Sequence, residues 1–186
     1  MGVLTEREKM IAGQLYRASD PELVEARARA RRLARAYNIT DPEAEEERRA
    51  LLTDLFADVG AGAILEPPFH CDYGWNIALG AGAYVNANCV ILDCAPISIG
   101  ALTMLGPAVQ LCAATHPLDS GDRAQGLEYA LPIVVGANVW IAASVVIGPG
   151  VTIGDNSVVG AGSVVLDDLP ANVVAAGNPA RIVRRL

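Results

Sequence analysis

From Val135 to Val165 a branched aliphatic residue recurs at every sixth position (Val135, Ile141, Ile147, Ile153, Val159, Val165), and Gly or Ala follows each of the first five (Gly136, Ala142, Gly148, Gly154, Gly160). Four positions after each of those five stands another residue able to turn inward: Val139, Val145, Val151, Ser157 and Ser163. A helix repeats every 3.6 residues and a strand every two, so neither continues through a period of six. The unit is one short strand plus a corner, and such units bury an apolar face only by stacking on one another. The pattern predicts a parallel β-solenoid.

The same phase runs upstream through Leu79, Val85 and Ile91, slips by two residues, and resumes at Ile99, Leu105 and Leu111. Leu111 and Val135 are then twenty-four residues apart, a multiple of six, although the stretch between them has no period. Residues 112–132 carry His116-Pro117, Asp119-Ser120-Gly121-Asp122 and Gly126, which is turn chemistry. A long excursion loop is therefore spliced into a regular coil. Ordered loops of this length inside a compact domain tend to be functional, so this one is the first place to look for a site.

The first sixty residues differ. They hold ten of the fourteen Lys and Arg and twelve of the twenty-one Asp and Glu. Thr5-x-x-Glu8 and Ser19-x-x-Glu22 have capping-box spacing, Pro21 and Pro42 suit first helical turns, and Leu51, Leu52, Leu55, Phe56 and Val59 form a helical stripe. We expect helices over 5–17, 21–37 and 42–58, giving a helical cap over 1–60 and a β domain over 61–186 with a C-terminal tail. The run Arg27, Arg29, Arg31, Arg32, Arg35 is flanked by acidic clusters in a chain of net charge −7, which argues for a solvated helix face and against nucleic acid. A charged N-terminus and the lack of any run of about 20 apolar residues argue for a cytoplasmic protein and against a membrane partner. Cys71, Cys89, Cys94 and Cys112 lack metal-ligand spacing and are expected as buried free thiols.

Five segments together resemble the maltose and galactoside O-acetyltransferases: Glu8-Lys9-Met10-Ile11-Ala12-Gly13-Gln14-Leu15-Tyr16, Phe69-His70-Cys71-Asp72-Tyr73-Gly74-Trp75-Asn76-Ile77, Ala114-Thr115-His116-Pro117, Asn138-Val139-Trp140-Ile141 and Gly177-Asn178-Pro179-Ala180-Arg181. Hexads alone indicate only the solenoid, whereas the N-terminal segment with the Thr-His-Pro loop is far more specific. The resemblance implies a left-handed β-helix, an exception to the usual right-handed crossover. It also implies a homotrimer with active sites between subunits and acetyl-coenzyme A as donor.

Acetyl transfer from a thioester to a hydroxyl needs a base for the hydroxyl proton, and an imidazole with a pKa near ~6.5 is well poised for it. Of the two histidines, His70 precedes the solenoid register, while His116 lies in the excursion at the position that the resemblance makes catalytic. His116 is the expected general base. The resemblance places Asp72, Asn86 and Asp93 near the acceptor, with Tyr84 in the same region; Asn86 and Asp93 equally suit tight corners of the coil. It places Trp140, Ala143, Ala161, Arg181 and Arg184 along the cofactor groove, where a corner N–H near Ala143 would serve the oxyanion. From residue 61 onward the cations are Arg123, Arg181, Arg184 and Arg185, so the C-terminal arginines are the natural phosphate partners.

Departures from the family pattern also carry information. Leu166-Asp167-Asp168 stands where relatives often have Thr-Lys-Asp, which removes one expected phosphate contact. Ala18 replaces an acidic residue, and Cys94 replaces the second acidic residue of the galactoside enzymes, so glucose- or maltose-type sugars are the expected acceptors. Serine, an antibiotic or another small alcohol are alternative acceptors, and a non-enzymatic scaffold is the alternative without chemistry. A γ-class carbonic anhydrase shares the solenoid but needs three histidines on a metal, and this chain has two, so no metal is expected.

Overall fold

A computed structural model describes residues 3–186. The chain starts with α1 (Glu6–Ile11), β1 (Tyr16–Arg17), α2 (Pro21–Asn38) and α3 (Glu45–Leu55). It then winds through coils of three strands. The first has β2 (Asp58–Val59), β3 (Ile64–Leu65) and β4 (His70–Cys71), and the second β5 (Ile77–Leu79), β6 (Tyr84–Val85) and β7 (Val90–Leu92). The third has β8 (Ile97–Ile99), β9 (Met104–Leu105) and β10 (Gln110–Cys112). An excursion of β11 (Ala114–Thr115), α4 (Ser120–Ala124) and β12 (Leu127–Ala130) intervenes. The fourth coil has β13 (Ile133–Val135), β14 (Trp140–Ile141) and β15 (Val146–Ile147), and the fifth β16 (Thr152–Ile153), β17 (Val158–Val159) and β18 (Val164–Val165). A shortened sixth coil holds β19 (Val173–Gly177), against which β20 (Ala180–Arg185) folds back antiparallel.

The strands stack into three parallel faces, as the hexads predict: β2-β5-β8-β13-β16 on the first, β3-β6-β9-β14-β17-β19 on the second, β4-β7-β10-β15-β18 on the third. The predicted aliphatics fill the column, since Val135, Ile141, Ile147, Ile153, Val159 and Val165 are all buried. Burying each such side chain contributes about 1.5–3 kcal/mol. Ser157 and Ser163 also point inward and are satisfied locally: Ser157 Oγ donates to the Pro170 carbonyl and Ser163 Oγ to that of Gly160.

The residue after the aliphatic is small because successive coils touch there. A Cβ on Gly80 would lie 2.4 Å from the Ala101 nitrogen, and one on Gly100 would lie 2.4 Å from the Gly136 carbonyl. Backbone cannot yield at that distance. Two positions further on the chain turns with positive φ, and Asn138, Asn156 and Asn172 adopt it in line, joined by side-chain hydrogen bonds of 2.9 and 3.2 Å.

The cap differs in its boundaries from the sequence expectation. The capping box of Thr5 and Glu8 forms, but α1 stops at Ile11 because Gly13 turns at φ +68°, and Tyr16 and Arg17 pair with β12 instead of extending the helix. α2 starts after an Asp20 cap with Pro21 in its first turn. α3 runs over 45–55 rather than 42–58, and the first coil opens at Asp58, so the solenoid begins inside the expected cap. Several arginines are adhesive rather than solvated. Arg27 donates to Tyr73 Oη and the Ala18 carbonyl at 2.6 Å, Arg48 to the Leu65 carbonyl at 3.0 Å, and Arg49 to those of Val59 and Gly60. Phe56 meets Phe69 edge-on at 5.5 Å, closing the first coil's open end. All four cysteines are free thiols, with Cys89 and Cys94 buried and Cys71 and Cys112 half-buried.

Gly100→Ala should drive its new methyl into the Gly136 carbonyl and cost about 1–3 kcal/mol. Thermal denaturation is expected to show a Tm lower by several degrees, and an unchanged Tm would contradict the stacking account.

Candidate active site

Every irregularity of the coil falls on one corner, where the third face turns into the first. Cys71 and Leu79 are eight residues apart, as are Ile91 and Ile99; Leu111 and Val135 are separated by the excursion, and Val165 and Leu169 by only four. The extra residues of consecutive coils, 72–76, 92–96 and 112–132, therefore lie above one another. The sequence register exposes the second of these slips but not the first, because Cys71 occupies an aliphatic position.

Asp93 holds this corner together. Its side chain is fully buried, Oδ1 accepts the N–H groups of Asp72 and Tyr73 at 3.1 and 2.8 Å, and Oδ2 accepts that of Asn76 at 3.3 Å. Asn76 Nδ2 returns a bond to the Asp93 carbonyl at 2.8 Å. With its carboxylate buried and spent on backbone, Asp93 is not free to meet a sugar hydroxyl, and the expected acceptor contact is corrected to a clamp. Burial pushes its pKa up to about 6, outweighing the amide donors that favour the ionised form.

Asp72 is half-buried on the clamped turn. Cys94 Sγ lies 3.5 Å from its Oδ2, burial raises its pKa, and the thiol and the nearby Arg27 oppose that rise. Burial likewise raises the Cys94 and Cys71 thiols, so both stay protonated and unreactive near neutrality.

The excursion is more than turns. β11 and β12 form a hairpin with α4 at its tip, and β1 adds to the other side of β12, pairing Tyr16 with Glu128. Tyr16 Oη donates to Glu128 Oε2 at 2.9 Å. His116 leaves β11 with its ring exposed and Nδ1 3.4 Å from the Leu127 carbonyl. A carbonyl only accepts, so this contact favours a hydrogen on Nδ1 and leaves Nε2 as the free acceptor. Sequence reasoning missed Tyr16 and Glu128 as members of this corner; the alternating Leu127-Glu128-Tyr129-Ala130 was the available sign of a strand.

A second group gathers where the second face turns into the third. The ladder of Val85, Leu105, Ile141, Val159 and Ala175 places Ala87, Pro107, Ala143, Ala161 and Gly177 in a file two residues on. These small residues leave a smooth groove. Among the described residues the N–H groups of Ala143 and Ala161 have no protein acceptor, whereas that of Ala87 is taken by Asn86 Oδ1 at 2.8 Å. Asn86 is half-buried at the top of this file, and the left-handed turn beside it belongs to Asn88. Trp140 lies half-exposed on the second face's outer surface, in a row with Ile64, Tyr84, Met104, Val158 and Val174 that Arg184 ends. Tyr84 thus belongs to this face. Arg181 pairs with Ala176 beside the file and contacts Asp167.

The expected residues thus fall into two sets: Asp72, Asp93 and His116 on one corner, and Asn86, Trp140, Ala143, Ala161, Arg181 and Arg184 on or beside another. The third face lies between them. A concavity of about 860 Å³ between the cap and the first coil, lined by Tyr37, Arg48 and Leu65 among others, contains none of these residues. No group of three or more His, Cys, Asp or Glu among the described residues is placed to hold a metal ion, and no helix is long and apolar enough to cross a membrane.

Residues 9–60 match the family described as the maltose acetyltransferase hexapeptide capping motif, and residues 132–167 match the bacterial transferase hexapeptide (six repeats). Nodulation protein L of Rhizobium meliloti (strain 1021) is 48% identical over 178 residues, covering 96% of this chain and 97% of that one. The crystal structure of a maltose O-acetyltransferase from Clostridium difficile 630 superposes with a TM-score of 0.97 at 44% identity, covering 100% and 99% of the two chains. A hexapeptide-repeat acetyltransferase from Vibrio cholerae O1 biovar eltor, complexed with acetyl coenzyme A, superposes with a TM-score of 0.91 at 41% identity, covering 98% and 99%.

Asp93 holds its proton more tightly in the folded chain than in the unfolded one. Its contribution to stability therefore falls as pH rises from about 4 through about 6 and levels off only about one unit above that. Asp93→Asn should remove this slope, while Asp93→Ala should orphan the three amides and destabilise by about 1–3 kcal/mol or more. Denaturant titrations of the three proteins between those pH values check both outcomes.

Proposed function

The chain belongs to the hexapeptide-repeat acetyltransferases that carry the maltose acetyltransferase capping motif, and from that premise we propose that it moves an acetyl group from acetyl-coenzyme A to a sugar hydroxyl. The observation that carries this reading is the position of His116, presented by a hairpin above the clamped Asp72 corner with Nε2 free to accept a proton. In a direct transfer Nε2 takes the hydroxyl hydrogen as the oxygen–carbon bond forms. The carbon–sulfur bond then breaks, and the proton passes to the departing thiolate. An unpaired corner N–H such as that of Ala143 would meet the oxyanion, a contact typically worth ~2.7–4 kcal/mol. Asp72 and Asn86 would orient the acceptor.

The second corner suits the donor. Its file of small residues accepts a long thin arm, its free amide at Ala161 matches a carbonyl of that arm, and Trp140, Arg181 and Arg184 stand beside it, the arginines as partners for phosphate. The two corners do not meet within one chain, and this supports a homotrimer in which the His116 corner of one protomer faces the groove of its neighbour. The apolar row of Ile64, Tyr84, Met104, Trp140, Val158 and Val174 is a surface that such a neighbour would cover. Cys94 in place of a second carboxylate favours glucose- or maltose-type acceptors.

His116→Ala should lower kcat by roughly 10²- to 10⁴-fold with the KM for acetyl-coenzyme A little changed. Near-full activity in that variant overturns the assignment, and assays over glucose, maltose, galactosides, serine and chloramphenicol separate the acceptors. Sedimentation equilibrium should give three times 19.4 kDa. Met104→Asp is expected to give monomers without activity, and an active monomer would remove the shared-site account.

A further inference from the structure

The corner between Val165 and Leu169 has only three residues, Leu166, Asp167 and Asp168, all exposed. Asp168 is spent on the coil, its Oδ1 accepting the Thr152 N–H at 2.7 Å. Asp167 reaches out of the coil to Arg181, with Oδ2 3.1 Å from Nη1, and the two side chains remain 74% and 65% exposed. An exposed pair of this kind contributes little to stability, so the fold does not depend on it.

Cations are scarce on this part of the molecule. Of the four from residue 61 onward, Arg123 is turned into the excursion, donating to the Pro117 and Leu118 carbonyls. The other three lie on β20 at the end of the small-residue file, and Asp167 is placed against one of them.

We infer that Asp167 is an internal competitor for the anionic end of the coenzyme. Its carboxylate engages Nη1, one of the donors that a phosphate would take. On binding, the phosphate either displaces Asp167 or shares Arg181 with it, and both cost affinity. The penalty bears on the phosphate-bearing end alone and leaves the pantetheine arm untouched. Asp167 thereby sets how tightly donor and spent coenzyme are held. This inference rests on the coenzyme reading above.

The test is calorimetric titration with coenzyme A of the wild-type chain, Asp167→Asn and Asp167→Lys, after confirming equal Tm, with pantetheine measured by competition. Coenzyme A should bind more tightly in the order Asp, Asn, Lys, by roughly two- to tenfold per step at low salt. Pantetheine should be unchanged across the three, and the steps should shrink at about 0.5 M salt, where the Debye length is only a few ångströms. Equal affinities for coenzyme A, or pantetheine affinities moving in parallel, would overturn the role of Asp167. A wild-type chain that does not bind coenzyme A would overturn the coenzyme reading itself, and this inference with it.

Discussion

The close approach of one coil to the next is the constraint on which this molecule depends. Successive strands lie at hydrogen-bonding distance along three faces, and at the corners the backbones come so near that a single methyl group at Gly80 or Gly100 has nowhere to go. This spacing dictates the hexad: an inward aliphatic for the core, a small residue where the coils touch, and a residue tolerant of positive φ to turn the chain. It also dictates where variation is allowed. An insertion along a face would disturb the ladders to the coils on both sides, whereas a corner can swell without disturbing the strands beside it. The excursion uses that freedom, and Leu111 and Val135 stay in phase across it.

The His116 corner shows how a rigid stack can hold an exposed side chain in a fixed place. The two-residue slips in the first two coils create the turns that Asp93 clamps, and the hairpin of the third coil rises directly beyond them. β1 then adds its edge to β12, so the N-terminal segment and the excursion, more than a hundred residues apart, brace each other through Tyr16 and Glu128. His116 is thus exposed without being loosely held. The cost is borne by the buried carboxylate of Asp93, whose elevated pKa records the unfavourable removal of charge from water.

The column was legible in the sequence because its signal is periodic and local. Each inward aliphatic from Val135 to Val165 is buried, and the capping box at Thr5 and Glu8 forms as its spacing suggests. What escaped depended on partners distant in the chain. Leu15-Tyr16 continues a helical pattern until one knows that β12 is waiting to pair with Tyr16 and Arg17. Residues 127–130 alternate like a strand, but nothing near them in the chain names β11 and β1 as the partners on either side. Arg27 and Arg48 belong to a charged helix surface in sequence, yet their heads reach carbonyls and phenol groups of the first coils. Asp93 carries the same letters whether it faces water or seals a turn. Burial decides, and burial is a property of the stack.

A ladder of parallel strands has no natural end, since each finished coil offers the next one its unpaired amides and carbonyls. Here the two ends are closed by different means. Phe56, Phe69 and the α3 arginines Arg48 and Arg49 plug the start, while β20 reverses direction against β19 and fills the terminal edge of the second face with an arginine-bearing strand. Antiparallel reversal plus charge is a poor template for another subunit's first coil. The last strand position of the second face is thereby filled, and the edge it leaves runs against the direction that a further coil would need.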